Sequence, residues 1–512
     1  MSNKKHVIIF NDCYESQRRT SGAYRLATLL YERDWDVDVL DFFHKWTEQE
    51  MGLWLDKNVK ATTKFFGFSF TWIDQSVVKK TIEKLKLKYP HIQILIGGQQ
   101  PLEMSMKADI YVNGYIEECL DTIIDYMFNG GEKPKGEQSE VSPDTFLIFS
   151  NEDYPSMNVK DLSVKYKDKD FVHKDEVLTL ELSRGCRFEC KYCSYPFLGI
   201  KKNTTRDLAI LRNELMENYE KWGVSNYILA DETINDRDEK LSGFAEVVNS
   251  LPFETNYAAF VRIDLVHAKP HHLKLLQDAR IWSHFYGIET LNHEAGKRIG
   301  KGMHPDKIKE TLLKTRESFL DTLGLYRGTV GLIAGLPHET PESWQATEDW
   351  FIKNWNTEKH SWWPLGISKK VRDSGLASLI AKNPEKYGYS TMEDEQRIEL
   401  LYNEYLAKTN TVGLREKGKY LKRGAYTHHR DSSQMLWKAE WADYLDALAF
   451  VKTAKEKAQE RPPLSSFYIL NYYNKFENKA DILKLTFQDE NYINEETKNF
   501  VKQYKKLMIE GA

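Results

Sequence analysis

The chain has 512 residues, 41% of them apolar and 29% charged. That composition excludes a disordered protein, and at roughly 100–200 residues per domain it predicts about three domains. With 72 Lys and Arg against 76 Asp and Glu the net charge is −4, so the basic excess of a general nucleic-acid binder is missing and nucleic acid is not an expected partner, although a local basic patch stays open.

The elements read in chain order as two series. In the first, HVIIFND (6–12), DVDVLDF (36–42), FFGFSFTW (65–72), IQILIGG (92–98) and DIYVNG (109–114) are strands. Helical periodicity over Ala23–Trp35 and Val77–Leu87 separates some of them. Alternating strand and helix predict a doubly wound parallel sheet, with ligands beyond the carboxyl ends of its strands. The opening MSNKKHVIIFND is too short for a signal segment, and no run reaches the ~18 apolar residues of a membrane span. No membrane partner and a cytoplasmic location are therefore expected.

Periodicity fails from about Asn129 to Val172, where GGEKPKGEQSEVSP reads as a linker. The second series follows: VLTLELSR (177–184), NYILADE (226–232), NYAAFVRI (256–263), SHFYGIET (283–290), TVGLIAGLP (329–337) and WWPLGIS (362–368). A helix with Leu208, Leu211, Leu215, Tyr219 and Trp222 on one face, closed by Gly223, fits between the first two. Six strands suit a partial or full barrel, and an open sheet suits the period equally well. Beyond Lys369 the segments 392–408, 433–459 and 493–509 read as helices. The boundaries expected are 1–130, a linker over 131–174, 175–368, and a mostly helical region over 369–512.

Of five cysteines, Cys186, Cys190 and Cys193 fall within eight positions, in Ser-Arg-Gly-Cys-Arg-Phe-Glu-Cys-Lys-Tyr-Cys just after a strand. Five cysteines make no disulfide framework for a chain this long. A C-x3-C-x2-C loop can wrap three thiolates around one face of an iron–sulfur cube. Cys13 and Cys119 lie in the other predicted domain, so one iron would keep an open coordination site, as catalytic metals do. The alternative is a zinc site or a buried apolar cluster. Structural zinc wants four ligands, usually in two separated pairs, and His173 is the only histidine close by in sequence.

C-x3-C-x-aromatic-C at the end of the first strand of a βα series resembles the radical S-adenosylmethionine (SAM) superfamily. The resemblance implies a partial (β/α)6 barrel and a [4Fe–4S] cluster on Cys186, Cys190 and Cys193. It also implies reductive cleavage of SAM to a 5′-deoxyadenosyl radical, with electrons from a donor such as flavodoxin or ferredoxin. It places Tyr192 in the cofactor loop. Asp231 and Glu232 would face the SAM amino group, Arg262 its carboxylate and Glu289 its ribose. Gly335, in Gly331-Leu332-Ile333-Ala334-Gly335-Leu336-Pro337-His338-Glu339, would pass the adenine.

A Rossmann-like domain ahead of such a core resembles the superfamily's cobalamin-binding architecture. Ser69 and Thr71 match its small polar motif, Gly97 and Gly98 its glycine pair, and Gly114, in Asn113-Gly114-Tyr115-Ile116-Glu117-Glu118, its closing Gly–acidic stretch. The D-x-H-x-x-G motif that supplies an axial histidine is absent, the matching loop reading Asp12-Cys13-Tyr14-Glu15-Ser16-Gln17. The reading that follows is a radical SAM enzyme, and with cobalamin a C-methyltransferase of a small molecule or peptide. One SAM would then recharge cobalt with methyl and another would make the radical. The alternatives are a non-methylating radical SAM enzyme with a vestigial first domain, and a non-catalytic scaffold with a structural metal. Trp344, Trp350, Trp355, Trp362 and Trp363 read as core packing. Lys417, Lys419, Lys422, Arg423, His428, His429 and Arg430 read as a solvated basic face or as a holder of a substrate phosphate or carboxylate.

Overall fold

The computed structural model describes residues 4–13, 19–71, 75–98, 102, 105–154, 160–193, 204–367, 378–392, 435–457, 463–486 and 490–511. The first sheet contains β1 (His6–Cys13), β2 (Asp36–Asp41), β3 (Thr63–Thr71), β4 (Gln93–Gly98), β5 (Ile110–Asn113), β6 (Glu137–Gln138) and β7 (Phe146–Phe149), in the order β2-β1-β3-β4-β5-β7-β6. All neighbours are parallel except β6 and β7. Side chains alternate along a strand. Val7 and Ile9 therefore join one core with helices Ser21–Glu32 and Leu120–Phe128. Ile8 and Phe10 join a second with helices Glu48–Asn58 and Gln75–Lys88. Both faces are covered, which makes this a doubly wound sheet.

The expected linker starts too early. Phe146-Leu147-Ile148-Phe149 is a buried strand pairing with β5, so the first sheet runs on to Phe149. Its Gly- and Pro-rich flanks hide a four-residue apolar run that needs cover on both sides.

The second series folds as β8 (Val177–Leu180), β9 (Ser183–Arg184), β10 (Thr204–Thr205), β11 (Asn226–Leu229), β12 (Asn256–Phe260), β13 (Ile281–Glu289), β14 (Arg327–Ala334) and β15 (Lys359–Pro364). Six of these make an all-parallel sheet in the order β15-β14-β13-β12-β11-β8, while β9 and β10 form a separate antiparallel brace. β8 and β15 are not paired, so the sheet is a partial barrel and not a closed one. Helix Leu208–Trp222 is capped by Asp207 and closed by Gly223 at φ +71°. Helix Pro341–Asn354 is opened by Thr340 in a capping box with Ser343.

The C-terminal region does not stand as a separate helical domain among the described residues. Tyr444–Lys457 packs Phe450 on Trp344 and Trp362. Ser466–Ile469 lies against β13 and β14. Glu490–Glu510 lays Val501, Tyr504 and Met508 on the first sheet's second core. Each piece has one apolar face, and the sheets, not one another, cover it. The basic stretch 417–430 and the helix expected over 393–408 lie outside the described residues.

Candidate functional site

The cysteine loop leaves the carboxyl end of the second sheet, where parallel α/β sheets bind ligands. Cys190 is buried, and Cys186 and Cys193 are half-buried. The loop is pinned by Cys193 N–H donating to Cys190 O (3.0 Å) and Lys191 N–H to Ile299 O (2.9 Å). A single zinc ion bound at about 2.3 Å per sulfur would draw the thiols together. Among the described residues the group whose ligand atoms all lie within 4.8 Å of one another is Asp238, His271 and His272, not these sulfurs.

Arg262 lies beyond the third strand instead of on it, since β12 ends at Phe260 and Arg262 caps helix Ile263–Ala268. Its guanidinium covers the Phe188 ring (3.7 Å), and Nη1 stands 3.6 Å from Cys190 Sγ. Nε and Nη2 are bound to Asp264 (3.0 and 2.6 Å). The cation thus faces a cysteine sulfur.

Asp231 and Glu232 part company. Asp231 is fully buried and accepts from Leu182 N–H (2.8 Å) and Ser183 Oγ–H, with Lys240 Nζ 3.7 Å away. Its carboxylate anchors the strand that leads into the cysteine loop, which corrects its expected contact with SAM. Glu232 is the available group. Its Oε2 is buried without a hydrogen-bond partner, and burial pushes its carboxyl up to about 7, with Asp231 adding to the rise. An ammonium group would satisfy it.

Tyr192 donates its hydroxyl to Glu289 Oε1 (2.6 Å), and Lys301 Nζ reaches the same oxygen (3.2 Å). Glu289 is a non-glycine residue at φ +69°. Gly287 leaves the room, because a side chain there would collide with the Glu289 carboxylate. Gly335, at φ +101°, opens toward the Trp437 ring, which a Cβ would strike. Its expected role of passing adenine gives way, on that side, to packing of the C-terminal region. Lys301 and Lys240 carried no local sequence signal.

Glu339 ends the same β14 motif and is wholly buried. It accepts from Thr290 Oγ1, Trp344 Nε1 (3.0 Å) and Leu336 N–H (3.3 Å). Burial pushes its carboxyl up to about 8. An acid raised on folding holds a proton the unfolded chain has released, so stability falls as pH rises from the unfolded pKa of about 4.5 toward 8. Thermal unfolding against pH is expected to show that decline, and Glu339→Gln to flatten it by an amount on the order of 5 kcal/mol over the window. An unchanged slope in the variant would refute the assignment.

At the first sheet, Ser69, Gly97, Gly98 and Gly114 share the carboxyl edge of β3, β4 and β5. Thr71 ends β3, and its side chain lies outside the described residues. Gly114 (φ +109°) donates its N–H to Gly98 O (3.1 Å). Beside it the Asn113 amide is buried with neither its nitrogen nor its oxygen partnered, an arrangement that a polar ligand would complete. His44, from after β2, sits on Asp12 by side chain, and its N–H donates to the same carboxylate (2.8 Å). The loop without a histidine therefore has an imidazole beside its aspartate, 32 residues away in sequence. The Gly–acidic stretch joins the two sites. Glu117 Oε1 accepts from Arg184 Nη1 (2.7 Å), next to the cysteine loop, and the Tyr115 ring lies 4.1 Å from that guanidinium.

Residues 180–351 match the family model of the radical SAM superfamily. The chain carries a radical SAM domain. That domain implies a [4Fe–4S] cluster and SAM as cofactors. The chain is 21% identical over 267 residues to bacteriochlorophyllide d C-12(1)-methyltransferase of Chlorobaculum tepidum, covering 51% of this chain and 55% of the relative. The chain thus spans about half the length of that curated relative. In fold it resembles the radical SAM methyltransferase TsrM of Kitasatospora setae, solved with a tryptophan substrate and a SAM analogue. The TM-score is 0.56 at 13% identity, over 76% of this chain and 79% of that one. It also resembles the cobalamin-dependent radical SAM enzyme OxsB with aqua-cobalamin bound. There the TM-score is 0.55 at 11% identity, over 99% and 72% of the chains. At these identities the likeness is one of fold. Among the described residues no helix is long and apolar enough to cross a membrane.

Proposed function

We propose that the chain is a radical SAM enzyme that binds cobalamin in its first domain and methylates carbon in a small molecule or peptide. The observation that carries the reading is three thiols on one loop at the carboxyl end of the second sheet, with the Glu232 carboxylate, one oxygen of it unpartnered, close to Cys186. When bound, the cluster supplies the electron for reductive cleavage of SAM, and cobalamin supplies the methyl group. Cys186, Cys190 and Cys193 would hold the cluster, leaving one iron for SAM. Glu232 receives the SAM ammonium, and Arg262 stands against the Cys190 sulfur. The buried Asn113 amide and the Gly98–Gly114 edge fit the polar tail of a cobalamin. Arg184 and Glu117 fix the distance between the two domains. A flavodoxin- or ferredoxin-type donor completes the electron supply.

The test is anaerobic reconstitution with iron, sulfide and hydroxocobalamin, then desalting, a visible spectrum and metal analysis. A strong reductant and SAM follow, with an assay for 5′-deoxyadenosine. About four irons per chain, retained corrinoid bands and 5′-deoxyadenosine are expected. Iron and cleavage without retained corrinoid would remove the methyl-transfer part. No cluster and no cleavage would overturn the whole reading.

A further inference from the structure

The face of the second sheet turned away from its helices is lined with aromatic rings at its carboxyl end. In β13, His284 faces the helices, packing on Phe319 of helix Pro305–Leu323 (4.9 Å). Phe285 therefore faces inward, and register places it beside Phe260 of β12. In β15, Trp362 bonds Glu348 of helix Pro341–Asn354 (2.7 Å), so Trp363 is the inward residue. Phe260 meets Phe285 edge-on at 5.1 Å, and Phe467 stacks on Phe285 at 5.6 Å. Gly331 of β14 lies between Phe285 and Trp363, and a methyl group on it would sit 3.3 Å from both rings.

This row does not pack like the core. Trp344, Trp355 and Trp362 are fully buried on the helix side, whereas Trp363 is 43% exposed. Phe260, Phe285 and Ile333 on the same inner face are only half-buried. Three hydroxyls of or against that face are engaged. Ser283 Oγ donates to Ser466 O (2.7 Å), Thr329 Oγ1 accepts from Ser466 N–H (2.8 Å), and Thr179 Oγ1 donates to Arg19 O (3.2 Å). Ring surface remains accessible there. Further along β13 it runs into Gly287 and the Glu289–Lys301 pair, at the end of the sheet that carries the cysteine loop.

We propose that Phe285, Gly331 and Trp363 form the substrate subsite, and that the substrate carries a planar aromatic ring held by stacking on Trp363. The inference rests on the function proposed above and adds the substrate's chemical class. Stacking rewards a flat π-system over an aliphatic of equal size.

The experiment is saturation-transfer NMR on the full cluster-loaded chain with SAM present, using indole as the planar molecule and cyclohexylmethanol as the aliphatic one. Indole should bind more tightly than cyclohexylmethanol. Trp363→Leu, which keeps apolar bulk and removes the ring, should weaken indole roughly tenfold, and Trp363→Phe should keep most of the binding. Iron content and circular dichroism report whether each variant is folded. Equal binding of the two molecules, or of indole to the parent and Trp363→Leu, would overturn the proposal. Ring-dependent indole binding without 5′-deoxyadenosine formation would reject the radical SAM reading and leave the subsite. Cleavage without ring-dependent binding would do the reverse.

Discussion

Cys190→Ala in the reconstituted chain is expected to reduce 5′-deoxyadenosine formation to background, and Cys186→Ala and Cys193→Ala should do the same. A cube held by three thiolates has no spare protein ligand, and loss of one opens the cluster to solvent. The fold should survive, because the loop hangs at the sheet end and is pinned by backbone bonds such as Lys191 N–H to Ile299 O (2.9 Å). Circular dichroism and thermal unfolding close to the parent's would show this. Cys119 provides the control. It is buried in the first sheet's core, and burial pushes its thiol up to about 12, so it is an inert apolar filler. Cys119→Ala should cost about 1–2 kcal/mol of stability and no cluster. Full activity in Cys190→Ala would remove the cluster assignment.

Arg19→Ala is expected to destabilise the chain by about 3–5 kcal/mol, because it leaves two buried carboxylates without their counter-charge. Arg19 is fully buried, and its guanidinium serves both Glu176 oxygens (2.6 and 3.0 Å), Asp41 Oδ2 (2.6 Å) and Tyr24 OH (2.7 Å). Its charge also lies 5.3 Å from the Tyr504 ring of the C-terminal helix. One side chain thereby ties β2, the approach to β8 and the last helix together. Arg19→Lys should recover little, since a point charge cannot match a forked pair of partners. Urea unfolding of Arg19→Ala, Glu176→Gln and the double variant gives the coupling. If the single costs simply add, the network is not the clamp described.

Much was legible in the sequence because the signals are local. Strands at two-residue alternation and helices at helical spacing appear from β1 to β15, with Gly223 and Thr340-Pro341 marking helix ends where they stand. The C-x3-C-x2-C loop needs only eight consecutive residues to state its chemistry. The reading failed where partners are distant. β7 is a four-residue apolar strand inside a Gly- and Pro-rich stretch. Asp231 and Glu232 are adjacent and alike in sequence, yet one is consumed by Leu182 and Ser183 while the other keeps an unpartnered oxygen. Trp362 and Trp363 likewise differ only in the face of the sheet they occupy.

By itself the sequence determined the two βα series, the cluster loop and the kinship to radical SAM proteins, since periodicity and motif spacing are properties of neighbours along the chain. Only the tertiary structure decided that the barrel stays open between β8 and β15. It alone placed His44 on Asp12 and set Glu117 against Arg184, and it spread the C-terminal segments over both sheets. Those outcomes depend on which buried polar group finds a partner and which apolar face finds cover, and both are settled between residues tens to hundreds of positions apart.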